Sequence, residues 1–129
     1  MNPVPKPCKK VKKVKRKKPS LLKLADQAIS WFVRERDNHT CITCGKYGDQ
    51  NGHYISRAFH GTRFDERNCN CQCNKCNVEL RGNLVIYKQK IVELHGFGIL
   101  AELDLINKVN HKKTSVQELN RILNYYSTR

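Results

Sequence analysis

Two short cysteine pairs constrain the fold of this chain more than any other feature. Cys41 and Cys44 form one C-x-x-C motif, Cys73 and Cys76 form a second, and 28 residues lie between the pairs. A C-x-x-C turn aims two thiolates at one point, and two turns that meet can close a tetrahedral Zn²⁺ site. The spacing is longer than in a simple zinc ribbon, so we expect a substantial element between the pairs. An iron–sulfur cluster and a redox-active thiol pair are the competing interpretations.

The other cysteines leave one alternative open. Cys69 or Cys71 could replace Cys73 as a ligand, but Cys73 is preferred because it completes the second C-x-x-C. We expect Cys8 to be a free thiol. The odd total of 7 Cys and the lack of a secretory signal predict a reducing compartment, the cytoplasm, without a full disulfide set. A site with four thiolates would be structural, because it has no open position for chemistry.

The basic charge is concentrated at the N-terminus. Residues 1–19 contain nine Lys or Arg and no acidic residue, whereas residues 20–129 have 16 basic and 11 acidic residues. Such a segment cannot bury enough apolar surface to offset its ordering entropy, so we predict a disordered basic arm. It should be attracted to a polyanion such as DNA in a salt-dependent way. The alternatives are a solubilising arm or a nuclear-localisation look-alike, and an acidic membrane surface is a weaker partner because the arm offers only Val as apolar anchors. No apolar stretch approaches the ~20 residues that span a bilayer, so no membrane partner is expected.

Patterning predicts an α+β domain over residues 20–129, with a core at 38–83 and flanking helices at 20–38 and 84–128. Ser20 is expected to cap the first helix, whose apolar stripe includes Phe32 but not its neighbour Trp31. We expect both rings to pack in the core, with base stacking as the minor alternative. A knuckle and a hairpin strand should follow, then a loop, and then a short helix that is broken at Gly82.

The C-terminal part predicts three helical segments. The first should end at Gly96, and Thr114 has capping-box spacing to Gln117 at the start of the last. The segment between them carries an apolar stripe that fits either a homodimer interface or intramolecular packing. The stripe comprises Ile99, Leu103, Ile106 and Val109.

One histidine and two asparagines accompany the cysteine pairs. His53 falls on the expected strand, Asn68 lies five residues before Cys73, and Asn77 directly follows Cys76. Phosphodiester hydrolysis needs a base, a cation and a group that orients the base. A neutral imidazole can be the base, and an amide oxygen suits a hard cation such as Mg²⁺. Taken singly, a histidine is usually not catalytic and asparagine often forms turns.

Taken together, this arrangement resembles the HNH, or His-Me finger, nucleases in their zinc-stapled treble-clef form. The resemblance implies a ββα centre with an H-N-N set. His53 would be the general base, Asn68 its orienting partner, and Asn77 a ligand of a catalytic Mg²⁺ or Mn²⁺. The residue before the catalytic histidine is commonly Asp or His, but here it is Gly52. Either a carboxylate from elsewhere replaces it, with Asp49, Asp65 and Glu66 as the candidates, or the metal is held more loosely.

A closer resemblance is to the NinG (Rap) family of lambdoid phage recombination proteins. It is carried by "FVRERD", "CITCG", "GHY", "RFDERN", "QCNKCN" and "GNLVIY", across about residues 29 to 90. It implies a structure-specific endonuclease, a hydrolase that acts on branched DNA such as D-loops and Holliday junctions in the bacterial host. Branch recognition makes a homodimer attractive. The alternative is a non-catalytic zinc-finger DNA-binding adaptor.

Basic residues around the same segment predict a loop-borne rim that grips phosphates. Ordinary surface charge is the alternative. His60 is interpreted as a phosphate-contacting or exposed residue of the loop. The residues of the predicted rim are Arg57, Arg63, Arg67, Lys75 and Arg81.

Overall fold

The computed structural model describes residues 2–7, 9–13 and 17–128. The described residues of the N-terminal arm are exposed and belong to no helix or strand. Cys8 lies outside the described residues, and the disorder of the arm stays a prediction. Within the described stretches, every helix is too short or too polar to cross a lipid bilayer.

Helix α1, Leu21–Arg36, begins where the sequence indicated. The Ser20 hydroxyl accepts a hydrogen bond from the Lys23 amide at 3.2 Å, which satisfies a donor that the first turn leaves open. Phe32 packs against the core as expected. The Trp31 ring is 54% exposed, so the prediction that it packs in the core is wrong.

A two-stranded antiparallel sheet forms the centre of the fold. Strand β1, Gln50–His53, pairs with β2, Cys69–Gln72, and His53 lies opposite Cys69. Side chains alternate along a strand, so His53 shares its face with Cys69, which packs against Ile29 of α1. Gly52 lies on the opposite face.

Tyr87 forms hydrogen bonds to both strands on that opposite face. The tyrosine hydroxyl donates to the Gly52 carbonyl at 2.6 Å and accepts from the Asn70 amide at 3.1 Å. The ring is fully buried, and burial raises its pKa well above the usual value, so the hydroxyl keeps its proton. These bonds connect the helix that carries Tyr87, Leu84–His95, to both strands of the sheet.

The connections contain two short helices. A single turn, α2, His60–Arg63, lies in the segment that was expected to be a loop. After β2, a π-helix covers Lys75–Glu79 and ends before Gly82, whose φ of +93° favours glycine. The break expected at Gly82 is therefore confirmed.

Three helices complete the domain: α3, Leu84–His95, α4, Ile99–Val109, and α5, Val116–Ser127. Helix α3 ends at Gly96 with φ +89°, as expected. Helix α5 is capped by Ser115, whose hydroxyl accepts from the Glu118 amide, so the expected cap at Thr114 is wrong.

Helix α5 packs on α1, and α4 packs on α3 and α2. Ile99 and Leu103 are buried with Tyr87 and Ile91, so this part of the stripe serves intramolecular packing. Val109, at the end of the stripe, is exposed. The result is a mixed α+β domain, the class that the pattern predicted. The expected short hairpin around His53 is wrong, because β1 pairs with the more distant strand Cys69–Gln72.

Candidate functional site

The two C-x-x-C motifs meet in space. The four sulfur atoms of Cys41, Cys44, Cys73 and Cys76 lie within 4.8 Å of one another, and the Sγ atoms of Cys44 and Cys73 are 3.6 Å apart. Four sulfurs at ~2.3 Å around a tetrahedral zinc are separated by about 3.8 Å. The donor set therefore fits a metal ion such as Zn²⁺.

Local backbone structure aims these sulfurs. The Cys41 amide donates to the Lys46 carbonyl at 2.7 Å, which closes the first turn, and Gly45 within it has φ +75°. In the second motif the Cys76 amide donates to the sulfur of Cys73 at 3.4 Å. The first turn is exposed at Cys44, whereas Cys41 and Cys76 are buried.

The thiols of the cluster influence one another. Burial raises the pKa of Cys41, but hydrogen bonds from Thr43 and from nearby backbone amides outweigh burial and lower it to about 6. The Lys46 amide lowers the pKa of Cys44, but burial and the neighbouring thiols together raise it to about 12. The Cys41 thiol thus ionises more easily than a free thiol, and the Cys44 thiol ionises less easily. This is expected for close thiols, which need a cation to ionise together.

The remaining described cysteines are core residues. Cys69 and Cys71 are buried on β2, outside the four-sulfur cluster. Burial raises the pKa of Cys69 to about 12 and that of Cys71 to about 11. Neutral thiols of this kind behave as small apolar side chains, so the preference for Cys73 agrees with the geometry.

The His53 ring is fixed by the backbone. Its Nε2 atom lies 2.9 Å from the carbonyl oxygen of Arg63. A carbonyl can only accept, so Nε2 carries the proton and Nδ1 of the neutral ring carries the lone pair. Burial lowers the pKa of His53, and the bond to Arg63 opposes this only in part. The ring is therefore a neutral, oriented base at pH 7.

The Asn68 side chain stabilises the backbone near His53 through hydrogen bonds to Ile55 and Thr62. Its fully buried amide accepts from the Ile55 N–H at 2.7 Å and donates to the carbonyls of Ile55 and Thr62 at 3.0 and 3.1 Å. These bonds connect Ile55 and Thr62, the two ends of the segment that precedes Arg63. We expected the Asn68 side chain to orient the His53 ring. In the structure, the direct hydrogen-bond partner of the ring is the Arg63 carbonyl instead.

His53 and Asn77 line the same cleft, a cavity of about 420 Å³. The Asn77 NH₂ group donates to the Gln50 side-chain oxygen at 2.9 Å, so the oxygen of Asn77 is the atom that can accept a cation. One wall is α1, which sequence reasoning did not connect with the site. The other lining residues are Lys23, Asp26, Gln27, Ser30, Arg34, Asp49, Gln50, Asn51 and Arg57.

The three candidate carboxylates, those of Asp49, Asp65 and Glu66, lie in different environments. Asp49 lines the cleft with His53. Asp65 is paired with Arg67 at 2.9 Å, and Glu66 accepts from the Tyr126 hydroxyl at 2.9 Å. Asp49 is therefore the one of the three candidates that shares a cavity with His53 and Asn77.

Gly52 is glycine for a steric reason. A Cβ atom at this position would overlap the side-chain oxygen of Gln72. Because Gln72 is fully buried, its side chain has little room to give way. The Asp or His that the nuclease resemblance led us to expect at this position is thus incompatible with this packing.

The predicted basic rim is only partly exposed. Arg63 is 9% exposed and forms a bidentate ion pair with Asp26, so its expected place on a phosphate-binding rim is wrong. Arg67 is held by Asp65 and Glu102. The three exposed members are Arg57, Lys75 and Arg81, of which Arg57 borders the His53 cleft.

His60 is not a free loop residue. Its Nδ1 atom accepts from the Thr114 amide at 3.2 Å and lies 3.0 Å from the Thr114 hydroxyl. Burial and the nearby positive charges of Arg63 and Lys113 lower the pKa of His60. This histidine connects α2 to the segment before α5, away from the His53 cleft.

Comparison with known proteins decides the family. The family model for Bacteriophage Lambda NinG protein matches residues 5–129. The chain belongs to the NinG family. Protein ninG of Salmonella phage P22 is 38% identical over 99 residues, which are 73% of this chain and 48% of that protein. Protein ninG of Escherichia phage lambda is 34% identical over 106 residues, 78% of this chain and 51% of that protein.

A third relative, protein ninG of Escherichia phage 933W, is 36% identical over 106 residues, 78% of this chain and 52% of that protein. The NinG-family chain thus spans about half the length of these curated relatives. No solved structure is similar enough to count as a match.

Proposed function

We propose that this NinG-family chain is a metal-dependent HNH-type endonuclease that cuts branched DNA, such as D-loops and Holliday junctions, during phage recombination. The observation that carries the proposal is the shared cleft of His53 and Asn77, next to the four-cysteine cluster. The proposal is also supported by the two antiparallel strands and the π-helix that follows them, although the single-turn α2 lies between the strands. The family membership is compatible with a recombination role.

The proposed chemistry starts at His53. Nδ1 of the neutral ring takes a proton from a water molecule, and the water oxygen attacks the phosphorus atom. The bond between phosphorus and the leaving sugar oxygen breaks, and the leaving oxygen takes up a proton from solvent. The Arg63 carbonyl keeps the ring oriented through Nε2, and Asn68 holds the segment that carries this carbonyl.

The remaining residues have supporting roles. Mg²⁺ or Mn²⁺ bound by Asn77 and Asp49 would neutralise charge on the phosphate and the leaving oxygen. Zn²⁺ bound by the four cysteines would stabilise the scaffold and take no part in the reaction. Arg57 and Arg34, which line the cleft, are suited to hold flanking phosphates.

A nicking assay on synthetic four-way junctions tests the proposal. We expect cuts with Mg²⁺ or Mn²⁺, no cuts in EDTA, and recovery when the divalent ion is restored. A linear duplex of the same sequence is the matched substrate and should be cut more slowly. Binding without cuts in every divalent ion would contradict the nuclease and leave the alternative, a non-catalytic zinc-finger adaptor.

Deletion of residues 1–19 tests DNA binding by the arm. Affinity should fall for all DNA shapes, because the nine basic residues of the arm are expected to bind phosphates and not bases. The slope of log affinity against log salt should decrease in magnitude by about 0.9 for each duplex phosphate that the arm neutralises in the undeleted chain. Titrations at several salt concentrations measure this slope, and an unchanged slope would show that the arm neutralises no phosphates.

A further inference from the structure

Trp31 has an environment that core packing does not explain. It is the only tryptophan of the chain, and its side chain is 54% exposed although Phe32, its neighbour, is packed in the core. The guanidinium carbon of Arg34 lies 5.7 Å from the centre of the indole ring. This cation–π contact supports the ring and leaves much of its surface open.

The side of α1 next to Trp31 forms a wall of the His53 cleft. The wall residues follow helical spacing and are Lys23, Asp26, Gln27, Ser30 and Arg34. Trp31 follows Ser30 directly and contacts Arg34, so it lies at the outer rim of this wall. A rise of about 1.5 Å per residue puts it within a few ångströms of wall residues along the helix axis.

The charged residues of the cleft indicate which kind of molecule can bind at this rim. Lys23, Arg34 and Arg57 line the cleft, and Asp26, one of its two carboxylates, is already neutralised by Arg63. A nucleic-acid backbone is complementary to such a surface. An exposed aromatic ring beside a cationic groove is the arrangement that binds unpaired bases by stacking.

We propose that Trp31 stacks on an unpaired DNA base beside the His53 cleft. This rests on the proposed function, because it names the kind of DNA that the same cleft takes. In a continuous duplex both faces of every internal base are covered by its neighbours, so the indole has no face to contact. A strand with an unpaired nucleotide, as at a branch point, offers one. Trp31 would thus select distorted or single-stranded DNA over intact duplex.

Intrinsic fluorescence tests this without any cleavage. Because the chain has one tryptophan, its emission reports on Trp31 alone. In buffer without divalent ions, a short thymidine oligonucleotide should quench the emission. An oligonucleotide of the same length with abasic sites has the same phosphates and should quench far less. Equal quenching by the two, or none by either, would overturn the proposal.

Variants provide the second measurement. Trp31→Ala should weaken binding of a labelled thymidine oligonucleotide roughly 5- to 150-fold and leave binding of the abasic oligonucleotide nearly unchanged. Trp31→Phe should retain part of the affinity. Phe97→Ala, at an aromatic residue that is 94% exposed on the α3–α4 connection, is the matched control and should bind like the wild type. Equal losses for both oligonucleotides would contradict stacking.

Two further outcomes are informative. Tighter binding of a uridine RNA oligonucleotide than of the thymidine DNA would overturn the assignment to DNA. Quenching that depends on bases, in a protein that cuts no junction, would keep the stacking role of Trp31 while the nuclease proposal fails. The two proposals can therefore fail separately.

Discussion

His53→Ala should lower the rate of junction cleavage about 10²- to 10⁴-fold, the usual contribution of a general base. The physical reason is that the substitution removes the lone pair on Nδ1, and no other histidine lines the described cleft. Single-turnover nicking of a labelled junction measures the rate. DNA affinity and metal content should change little, because the ring neither belongs to the cysteine cluster nor carries charge at pH 7.

The matched control is His95→Ala, at an exposed histidine at the end of α3. It should cleave like the wild type. Asn68→Ala should also reduce cleavage, but with a loss of stability, since it removes three hydrogen bonds made by a fully buried side chain. A fully active His53→Ala protein would remove this residue from the mechanism.

The pH profile provides an independent measure of the same base. Burial lowers the pKa of His53 from its usual value of 6.5. The ring must be neutral to accept a proton, so the neutral form dominates above the lowered pKa. Cleavage should therefore persist at pH values below 6.5, at which a solvent-exposed histidine would be mostly protonated. A rate that falls already above pH 6.5 would contradict this environment for the base.

Sequence reasoning succeeded where the signal was local or was repeated by spacing. The cap at Ser20, the helix end at Gly96 and the meeting of the two C-x-x-C pairs each follow from the chemistry of a few adjacent residues. The pairs could be predicted to meet because two C-x-x-C motifs in one small chain commonly supply the four ligands of one metal site.

It failed where a residue's role depends on a distant partner. Arg63 looks like a surface cation in the sequence, but Asp26, 37 residues away, neutralises it in the interior. The acceptor for the His53 ring is a backbone carbonyl, which no side-chain pattern reveals. Trp31 matches the apolar stripe of α1 by type, yet the helix places it at the edge of the buried face. The contacts of Arg63 and His53 join residues that are distant in the sequence, and the exposure of Trp31 depends on where the buried face of α1 ends.

Cys44→Ser should destabilise the protein by several kcal/mol if the cluster holds a metal ion. Cys44 is exposed, and an exposed substitution without a special role usually changes stability by less than about 0.5 kcal/mol. A structural zinc contributes on the order of 10 kcal/mol of folding free energy, comparable to the whole stability of a small domain. A large effect at such an exposed position therefore requires a ligand that binds there.

Denaturant unfolding and native mass spectrometry measure the effect together. The wild type should carry one metal ion, and a strong chelator should lower its stability towards that of Cys44→Ser. Cys71→Ala is the matched control: it removes a buried thiol outside the cluster, so it should lose some packing energy but keep the ion. If Cys44→Ser and the chelator both leave unfolding unchanged, the four sulfurs are only close neighbours. The scaffold under His53 would then depend on its apolar core and on hydrogen bonds such as those of Tyr87 and Asn68.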